Sequence, residues 1–150
     1  MPLDVKRRAL FIINELTIYE HAGIMQLSAL AKARGHETRL GIADTDDLAE
    51  TIRNWRPDVV AFSVLTGEQA FYLDVCRRLR RQVSFFSLFG GLHVTFCPDE
   101  FLREDCVDAL CLGEADEVFG EFLDKLGTDQ AHTVDNFWFK TDKGVARNPL

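Results

Sequence analysis

The chain has 150 residues, 47% of them hydrophobic and 27% charged, which fits one globular domain with a sizeable core. Its formal net charge of −7 argues against a general nucleic-acid-binding surface and against a surface for anionic membranes. No apolar stretch approaches the roughly 18 to 20 residues that a membrane span needs, so the sequence predicts no such span.

The first predicted element is a strand from Ala9 to Ile13, directly after the basic residues 6–8. Its apolar run is too short for the core of a signal peptide and no small-residue cleavage site follows, so we expect a cytoplasmic protein. Apolar residues at helical spacing then predict a helix that begins near Gly23 and ends at Gly35. The short, half-polar strand Glu37 to Ile42 is typical of a sheet edge.

Strands and helices continue to alternate along the chain. Val59 to Ser63 and Ser84 to Phe89 are apolar runs of the kind found in parallel strands buried on both faces. The alternation predicts a doubly wound α/β fold, flavodoxin-like or Rossmann-like, with five parallel strands. The other predicted elements are a helix from Asp46 to Trp55, a helix from Glu68 to Arg81, a short helix from Pro98, a strand from Val107 to Leu112 and a helix from Glu117 to Leu126.

The carboxyl-terminal segment follows a different pattern. Asn136 to Lys140 and Gly144 to Arg147 flank the turn residues Thr141 to Lys143, and this arrangement predicts a small β-hairpin. We therefore expect an α/β domain at residues 1–134 and a hairpin or linker at residues 135–150.

The four cysteines favour structural roles. Cys76, Cys97, Cys106 and Cys111 form no close CxxC pair, which argues against a zinc site, a thioredoxin-like site and an iron–sulfur cluster. Cys76 and Cys111 have apolar neighbours in the sequence, so we expect both to be small core residues.

Two other groups of side chains have ordinary interpretations. The arginines at positions 77, 78, 80 and 81 lie on one predicted helix, and they form either a solvated face or a docking surface for a partner domain. His36 and His132 are expected to be solvent-facing turn residues.

Two loops of small residues carry the strongest functional signal. Ser63-Val64-Leu65-Thr66-Gly67 follows the third predicted strand, and Gly90-Gly91-Leu92-His93 follows the fourth. Loops at the carboxyl ends of adjacent parallel strands form the crevice in which open α/β sheets bind ligands. Neither loop offers a nucleophile–base pair, so the crevice indicates a bulky cofactor rather than catalysis by side chains.

Several common cofactor motifs are absent from this sequence. The first loop, residues 14–23, contains one glycine and two acids, so it lacks the GxGxxG fingerprint, the P-loop and a flavodoxin-type phosphate loop. A phosphate-accepting receiver domain would need an aspartate after strand three and a lysine after strand five, where Ser63 and Gly113 stand. These classes of protein are therefore excluded.

The two small-residue loops resemble those of cobalamin-binding domains. Members of that family whose benzimidazole is displaced from cobalt carry S-x-L after strand three and G-G after strand four, as Ser63-Val64-Leu65 and Gly90-Gly91 do here. The resemblance implies that the Ser63 hydroxyl bonds the buried benzimidazole and that Leu65 packs against it. The glycines would let the nucleotide tail approach the backbone closely.

The resemblance also implies further cofactor-binding residues at this edge, namely Thr66, Gly67, His93, Gly113 and Glu114. His93 would face the corrin or its amide side chains, or it would cap the next loop. Glu114 would accept hydrogen bonds from corrin amides, or it would cap the following helix.

The cobalt-ligand motif of that family, D-x-H-x-x-G, is not matched. Counting back from Gly23, the ligand position falls on Glu20 and the aspartate position on Ile18, with His21 one residue out of register. A neutral His21 imidazole could still bind cobalt. The alternative is a lower axial site without a protein histidine, in which His21 is a loop or helix-start residue.

Further motifs match in chain order, namely Gly23 to Ala31, Gly35-His36-Glu37, Pro57 to Ser63, Phe89 to Thr95, Val107 to Glu114 and Trp138 to Pro149. Together they resemble the amino-terminal cobalamin-binding domain of radical S-adenosylmethionine enzymes. That resemblance covers nearly the whole chain, and many members of the family also lack the ligand histidine.

This resemblance implies an accessory domain that binds cobalamin but catalyses nothing in isolation. The full-length enzyme would add a radical catalytic domain in cis, with a 4Fe-4S cluster and S-adenosylmethionine, and would act as a methyltransferase or a cyclase. The cluster motif C-x-x-x-C-x-x-C is absent from this chain. The alternative function is a cofactor-free docking domain of the same fold, which acids in the first loop (Glu15, Glu20) and bulky residues in the crevice (Tyr19, Phe96, His93) would favour.

Overall fold

The computed structural model describes residues 5–16 and 21–150. Within these ranges, no helix is both long enough and apolar enough to cross a membrane. The described elements, in chain order, are β1 (Arg8–Ile13), α1 (Ala22–Ala33), β2 (Glu37–Ile42), α2 (Leu48–Trp55), β3 (Val59–Ser63), α3 (Gln69–Arg80), β4 (Ser87–Gly90), α4 (Leu92–Phe96), α5 (Pro98–Leu102), β5 (Ala109–Cys111), α6 (Val118–Lys125), a 3-10 helix (Asp129–Thr133), β6 (Phe137–Thr141) and β7 (Gly144–Arg147).

All of these strands belong to one sheet, in the order β2-β1-β3-β4-β5-β6-β7. β1 to β5 pair in parallel, which confirms the predicted α/β fold and the place of β2 at an edge. The sheet has seven strands rather than five, because the predicted hairpin continues it antiparallel to β5.

Buried aromatic rings explain why the hairpin joins the sheet. Phe137 and Phe139 are buried, and their ring centroids lie 4.6 and 6.2 Å from that of Phe122 on α6. Their apolar surface is removed from water only when β6 lies beside β5. The predicted boundary between residues 134 and 135 stays a prediction.

Helices cover both faces of the sheet, as a doubly wound fold requires. On one face, α2, α3 and α5 bury Ile52, Tyr72 and Phe101. On the other face, α1 and α6 bury Ile24 and Phe122. The winding changes direction between β1 and β3, and such a switch point opens a crevice outside the carboxyl ends of the strands.

The largest local differences from the sequence predictions surround β4. This strand begins at Ser87 rather than Ser84, and helix α4 after it was not predicted. Gly91 has φ 99°, and the Thr95 N–H donates to the Gly91 carbonyl oxygen at 3.1 Å, so a helical turn closes directly after the glycine pair. β5 is also shorter than predicted, whereas the ends of α1, α2, α3 and α6 agree to within two residues.

His36 is buried, so its prediction as a solvent-facing turn residue is wrong. Its Nδ1 accepts a hydrogen bond from the Arg7 N–H at 3.1 Å, and its Nε2 lies 2.8 Å from Asp124 Oδ1. Because Nδ1 is an acceptor, Nε2 carries the proton and donates it to the carboxylate. His132 is exposed, as predicted.

The cysteines have the burial that structural roles require. Cys76, Cys106 and Cys111 are buried, Cys97 is partly buried, and all four are free thiols. The Cys76 thiol donates to the Cys106 carbonyl oxygen at 3.2 Å.

The arginine cluster of α3 is not a uniformly solvated face. Ion pairs join Arg77 to Glu104, Arg78 to Asp74 and Arg80 to Asp108. Arg81, just after the helix, is exposed. The alternative of a docking surface for a partner domain stays a prediction.

Candidate cofactor site

A cavity of about 170 Å³ opens at the carboxyl edge of the sheet, between the sheet and helices α1 and α6. Five of the predicted cofactor-binding residues line it, namely Ser63, Gly90, Gly91, Gly113 and Glu114. Loops after β3, β4 and β5 therefore meet where the sequence places the ligand crevice.

The inner wall of this cavity is made of carbon. Phe11, Ile24, Leu88 and Phe119 line it and are each at most 7% exposed. An engineered cavity of about 150 Å³ with a similar apolar lining binds benzene. The cavity here is open on one side, so a flat aromatic group can enter while its polar attachment remains outside.

The Cys111 side chain completes this wall. It is buried, and burial raises the pKa of its thiol to about 12, so the sulfur carries no charge near neutral pH.

Gly91 holds the loops after β3 and β4 in close contact. A Cβ atom built at Gly91 would lie 2.7 Å from Val64 N and 2.8 Å from Val64 O, so no larger residue fits. Two backbone hydrogen bonds join the same loops, from Val64 N–H to the Gly90 carbonyl and from His93 N–H to the Val64 carbonyl. The positive φ of Gly91 also favours glycine.

Thr95 joins the loops after β4 and β5, and it was not among the predicted site residues. Its hydroxyl donates to the Gly91 carbonyl oxygen at 3.0 Å and accepts from the Gly113 N–H at 2.9 Å. One hydroxyl thus fixes the distance between two glycine loops that line the cavity. The sequence contained a signal, because Thr95 closes the matched segment Phe89 to Thr95, but the pattern gave it no role.

The Ser63 side chain is available to a ligand. Ser63 is exposed at the end of β3, and its Oγ lies 3.1 Å from the position of a Cβ built at Gly91. Among the described residues, no hydrogen bond engages this hydroxyl, which can therefore donate into the crevice or accept from it.

The rest of the loop after β3 lies beside the cavity rather than in its wall. Leu65 is 55% exposed at the same edge of the sheet, and its packing against the benzimidazole stays a prediction. Gly67 has φ 100°, and its N–H donates to Gln69 Oε1 at 2.7 Å. The Thr66 hydroxyl lies 3.1 Å from Nδ1 of His93.

His93 is buried outside the cavity wall. Its Nε2 lies 3.2 Å from Glu100 Oε2, and its ring packs edge-on against Phe101 at 6.0 Å. The ligand atoms of His93, Cys97 and Glu100 all lie within 4.8 Å of one another. A direct role of His93 in binding the cofactor stays a prediction.

His21 occupies the N-cap position of α1, two residues before Gly23 of the cavity wall. Its side chain makes no capping hydrogen bond, and its buried Nε2 has no hydrogen-bond partner among the described residues. The family positions for the ligand and its aspartate, Glu20 and Ile18, lie outside the described residues. Binding of cobalt by His21 stays a prediction.

Two exposed carboxylates stand at the mouth of the cavity. Asp116 accepts a hydrogen bond from Gln26 of α1 at 3.3 Å. Glu114 does not cap α6, because the N-cap residue is Glu117, which makes no side-chain capping bond. The Glu114 backbone carbonyl accepts from Asn136 Nδ2 at 2.8 Å, and this bond ties the mouth to the hairpin.

The site combines a carbon-lined cavity with a free hydroxyl at its rim and glycine loops at a topological switch point. This combination is typical of open α/β domains that hold a cofactor above the sheet. The chain belongs to the B12 binding domain family, whose sequence profile matches residues 11–123. This membership confirms the prediction that the cofactor of this domain is cobalamin.

Two curated relatives are methyltransferases. The chain is 29% identical over 111 residues to the uncharacterized methyltransferase PH0819 of Pyrococcus horikoshii, a match that covers 69% of this chain and 24% of that protein. It is 27% identical over 117 residues to the cytidylyl-2-hydroxyethylphosphonate methyltransferase of Streptomyces wedmorensis, a match that covers 74% of this chain and 21% of that protein. The chain therefore spans about a quarter or less of the length of these relatives.

Solved structures share the fold over nearly the whole chain. The radical S-adenosylmethionine methyltransferase TsrM from Kitasatospora setae, with cobalamin and a 4Fe-4S cluster bound, superposes with a TM-score of 0.79 at 14% identity and covers 97% of this chain and 29% of its own. The cobalamin-dependent S-adenosylmethionine radical enzyme OxsB, with aqua-cobalamin and S-adenosylmethionine bound, superposes with a TM-score of 0.76 at 14% identity. That match covers 96% of this chain and 22% of the OxsB chain.

Proposed function

We propose that this domain holds cobalamin with its nucleotide tail in the cavity and its corrin ring across the loops that follow β3, β4 and β5. The observation that carries the proposal is the carbon-lined cavity whose rim is formed by Ser63 and the Gly90-Gly91 pair. An aromatic base at the end of a polar tail fits this combination, because its ring replaces water inside while its phosphate and sugar remain at the open side.

Ser63 and the glycines receive the tail in this arrangement. The Ser63 hydroxyl would donate to the nitrogen of the base that lies at the rim. Gly91 lets the loops after β3 and β4 pack closely beside the tail, since any side chain there would meet Val64. Thr95 keeps the loops on the two sides of the tail at a fixed separation through its bonds to Gly91 and Gly113.

The corrin ring is supported by apolar side chains at the same edge. Leu65, Leu92 and Phe96 follow β3 and β4, and they are 55, 57 and 75% exposed. These three side chains would form the apolar surface that the ring covers. Thr66, Gly67, His93 and Glu114 would support the ring and its amides directly or through these loops.

The position of Phe96 and His93 weakens the alternative of a cofactor-free docking domain. Neither residue lines the cavity, and His93 is held below the loops by Thr66 and Glu100. Two of the three bulky side chains that the alternative invokes therefore do not fill the cavity, and the third, Tyr19, lies outside the described residues.

The whole protein is proposed to be a radical S-adenosylmethionine enzyme of methyltransferase or cyclase type. Bound cobalamin would supply cobalt-centred group transfer, and the catalytic domain in cis would supply the 4Fe-4S cluster and S-adenosylmethionine. This chain would bind and orient the cofactor and exclude water from its lower face. The methyltransferase names of two relatives support this proposal, and four free thiols agree with a cytoplasmic setting.

A titration of the chain with hydroxocobalamin tests the proposal. We expect saturable binding of about one cofactor per chain by visible absorption and calorimetry. Ser63→Tyr should abolish it, because the new ring occupies the rim of the cavity, and Gly91→Trp should abolish it by forcing apart the loops after β3 and β4. Ser84→Tyr is the matched control, since Ser84 is exposed before β4. Absence of binding by the wild-type chain would leave the docking domain as the function.

The lower cobalt ligand is tested separately by electron paramagnetic resonance of the reduced, Co(II) form on the protein. Nitrogen splitting that disappears in His21→Ala would assign His21 as the ligand. A spectrum without nitrogen splitting, unchanged by His21→Ala, would assign a lower site without a protein histidine.

A further inference from the structure

We infer that the cavity selects the lower base of the corrinoid, favouring dimethylbenzimidazole over adenine. The inference rests on the proposed function, because it assumes that the nucleotide tail enters the cavity. It goes beyond that function by assigning to the cavity wall a choice between cobalamin and the cobamides whose tails end in a purine.

The first step is the chemistry of the interior. Phe11, Leu88 and Phe119 present carbon to the cavity from two strands and from α6. Cys111 adds a neutral thiol, which is a weak donor and a weak acceptor of hydrogen bonds. Two methyl groups on a benzimidazole edge are well matched to such a wall, because burying them removes apolar surface from water.

The second step is the position of the polar groups. Within the described residues, the polar side chains that line the cavity are Ser63, Glu114 and Asp116, and all three are exposed at the rim. The Asp116 carboxylate is also engaged by Gln26. A base that enters the cavity can therefore bond Ser63 with its rim-side nitrogen, but its far edge meets carbon.

The third step compares the two bases. Adenine carries an exocyclic amine and two ring nitrogens on the edge where dimethylbenzimidazole carries only carbon. These groups are hydrogen-bonded in water and would lose those bonds against the wall. An apolar pocket rejects an added polar group by about a hundredfold at most. We therefore expect adenine-containing cobamide to bind about ten to a hundred times more weakly than cobalamin.

Three corrinoids separate this inference from the proposed function. Calorimetric titrations of the chain use hydroxocobalamin, the adenine-containing hydroxocobamide and cobinamide, which has no nucleotide tail. The expected order of affinity is cobalamin, then the adenine form, then cobinamide. Equal affinity for both bases, or tighter binding of adenine, would overturn the selectivity.

The other outcomes bear on the proposed function. Cobinamide binding as tightly as cobalamin would show that the tail does not use the cavity. Binding of none of the three would remove cobalamin binding itself. Either result is distinct from a loss of selectivity among tailed corrinoids.

A pair of cysteine variants locates the selectivity in the wall. Cys111→Ser changes a single atom of the cavity and offers adenine a stronger hydrogen-bonding partner, so the preference for cobalamin should narrow at least threefold. Cys76→Ser is the matched control, because Cys76 is buried on the opposite face of the sheet. A preference narrowed equally by both variants, or by neither, would contradict the assignment to this wall.

Discussion

Charged side chains close the amino ends of the strands, whereas the carboxyl ends leave polar groups open to a ligand. Asp58, just before β3, accepts the Arg8 N–H of β1 at 2.8 Å, and Asp108, just before β5, accepts the Ser87 N–H of β4 at 2.9 Å. At the opposite edge the Ser63 hydroxyl makes no such bond to another described residue. The same sheet thus uses its polar side chains for stability at one end and keeps them for binding at the other.

The consequence is that the two ends should respond differently to substitution. Changes at the amino ends should lower the free energy of unfolding and leave cobalamin affinity unchanged in the molecules that remain folded. Changes at the carboxyl ends should lower affinity more than stability, because the groups there are partners of the cofactor or hold the loops around it.

The largest effect is expected at Asp108. Asp108→Ala removes the partner of Arg80, at 2.6 Å, and leaves the buried Ser87 N–H without its acceptor. We expect a loss of about 3 kcal/mol in the free energy of unfolding, measured by urea denaturation. Asp142→Ala, in the exposed hairpin turn, should cost almost nothing. If folded Asp108→Ala bound cobalamin more than twofold more weakly than wild type, the expectation that the amino ends affect stability and not affinity would be contradicted.

Thr95 tests the carboxyl end. Thr95→Val keeps the shape of the side chain but breaks the bridge between Gly91 and Gly113, so we expect cobalamin to bind about tenfold more weakly. Thr51→Val is a matched control, because the Thr51 hydroxyl also donates to the carbonyl four residues earlier, at 3.1 Å, but holds no loop. An affinity loss of the same size in both variants would contradict the role of the bridge.

Removal of the Ser63 hydroxyl should have a smaller effect. Ser63→Ala deletes one hydrogen bond to the base while leaving the cavity open, so the dissociation constant should rise about threefold to tenfold. The unfolding free energy should be unchanged, since the hydroxyl bonds no other described residue. Ser84→Ala should alter neither quantity, and a Ser63→Ala chain that binds cobalamin like wild type would remove this residue from the site.

The contribution of the amino ends to stability should depend on pH through Asp124. Burial on its own raises the pKa of Asp124, but hydrogen bonds from Arg34 and His36, and the positive charge of Arg34, bring that pKa below its ordinary value. A lowered folded-state pKa contributes stability that is present above the ordinary aspartate range and is lost as pH falls through the folded value. Asp124→Asn should therefore be less stable than wild type in urea at about pH 7, and the difference in unfolding free energy should shrink steadily as pH falls below the ordinary aspartate range. A gap that persists in acid would show that packing, not charge, stabilises this end.

The parts of the fold that the sequence predicts are those encoded by local patterns. Val59 to Ser63 is an unbroken apolar run, and the glycine pair at positions 90 and 91 follows another, so the amino-acid pattern alone places both loops of the site. Pairing of β6 with β5 has no such local pattern, because the burial of Phe137 against α6 is a contact between distant parts of the chain.

The same reasoning explains what was missed in the site and at the amino ends. Thr95 joins Gly113, 18 residues later, and His36 joins Asp124, 88 residues later. A polar residue whose partner is that distant has no periodic signature, so His36 is predicted in solvent and Thr95 receives no role. His93 is found by motif, but its burial between Thr66 and Glu100 depends on helix α4, which local spacing did not reveal.

The most direct test of cobalamin binding in the cavity is the visible spectrum of methylcobalamin during titration with the His21→Ala chain, in which no imidazole at position 21 can replace benzimidazole on cobalt. If the nucleotide tail occupies the cavity, benzimidazole has left cobalt, and the spectrum must move towards that of acidified free methylcobalamin while the buffer stays neutral. Gly91→Trp should prevent this change. A saturable titration that retains the neutral, benzimidazole-bound spectrum would contradict the placement of the tail at the carboxyl end of the sheet.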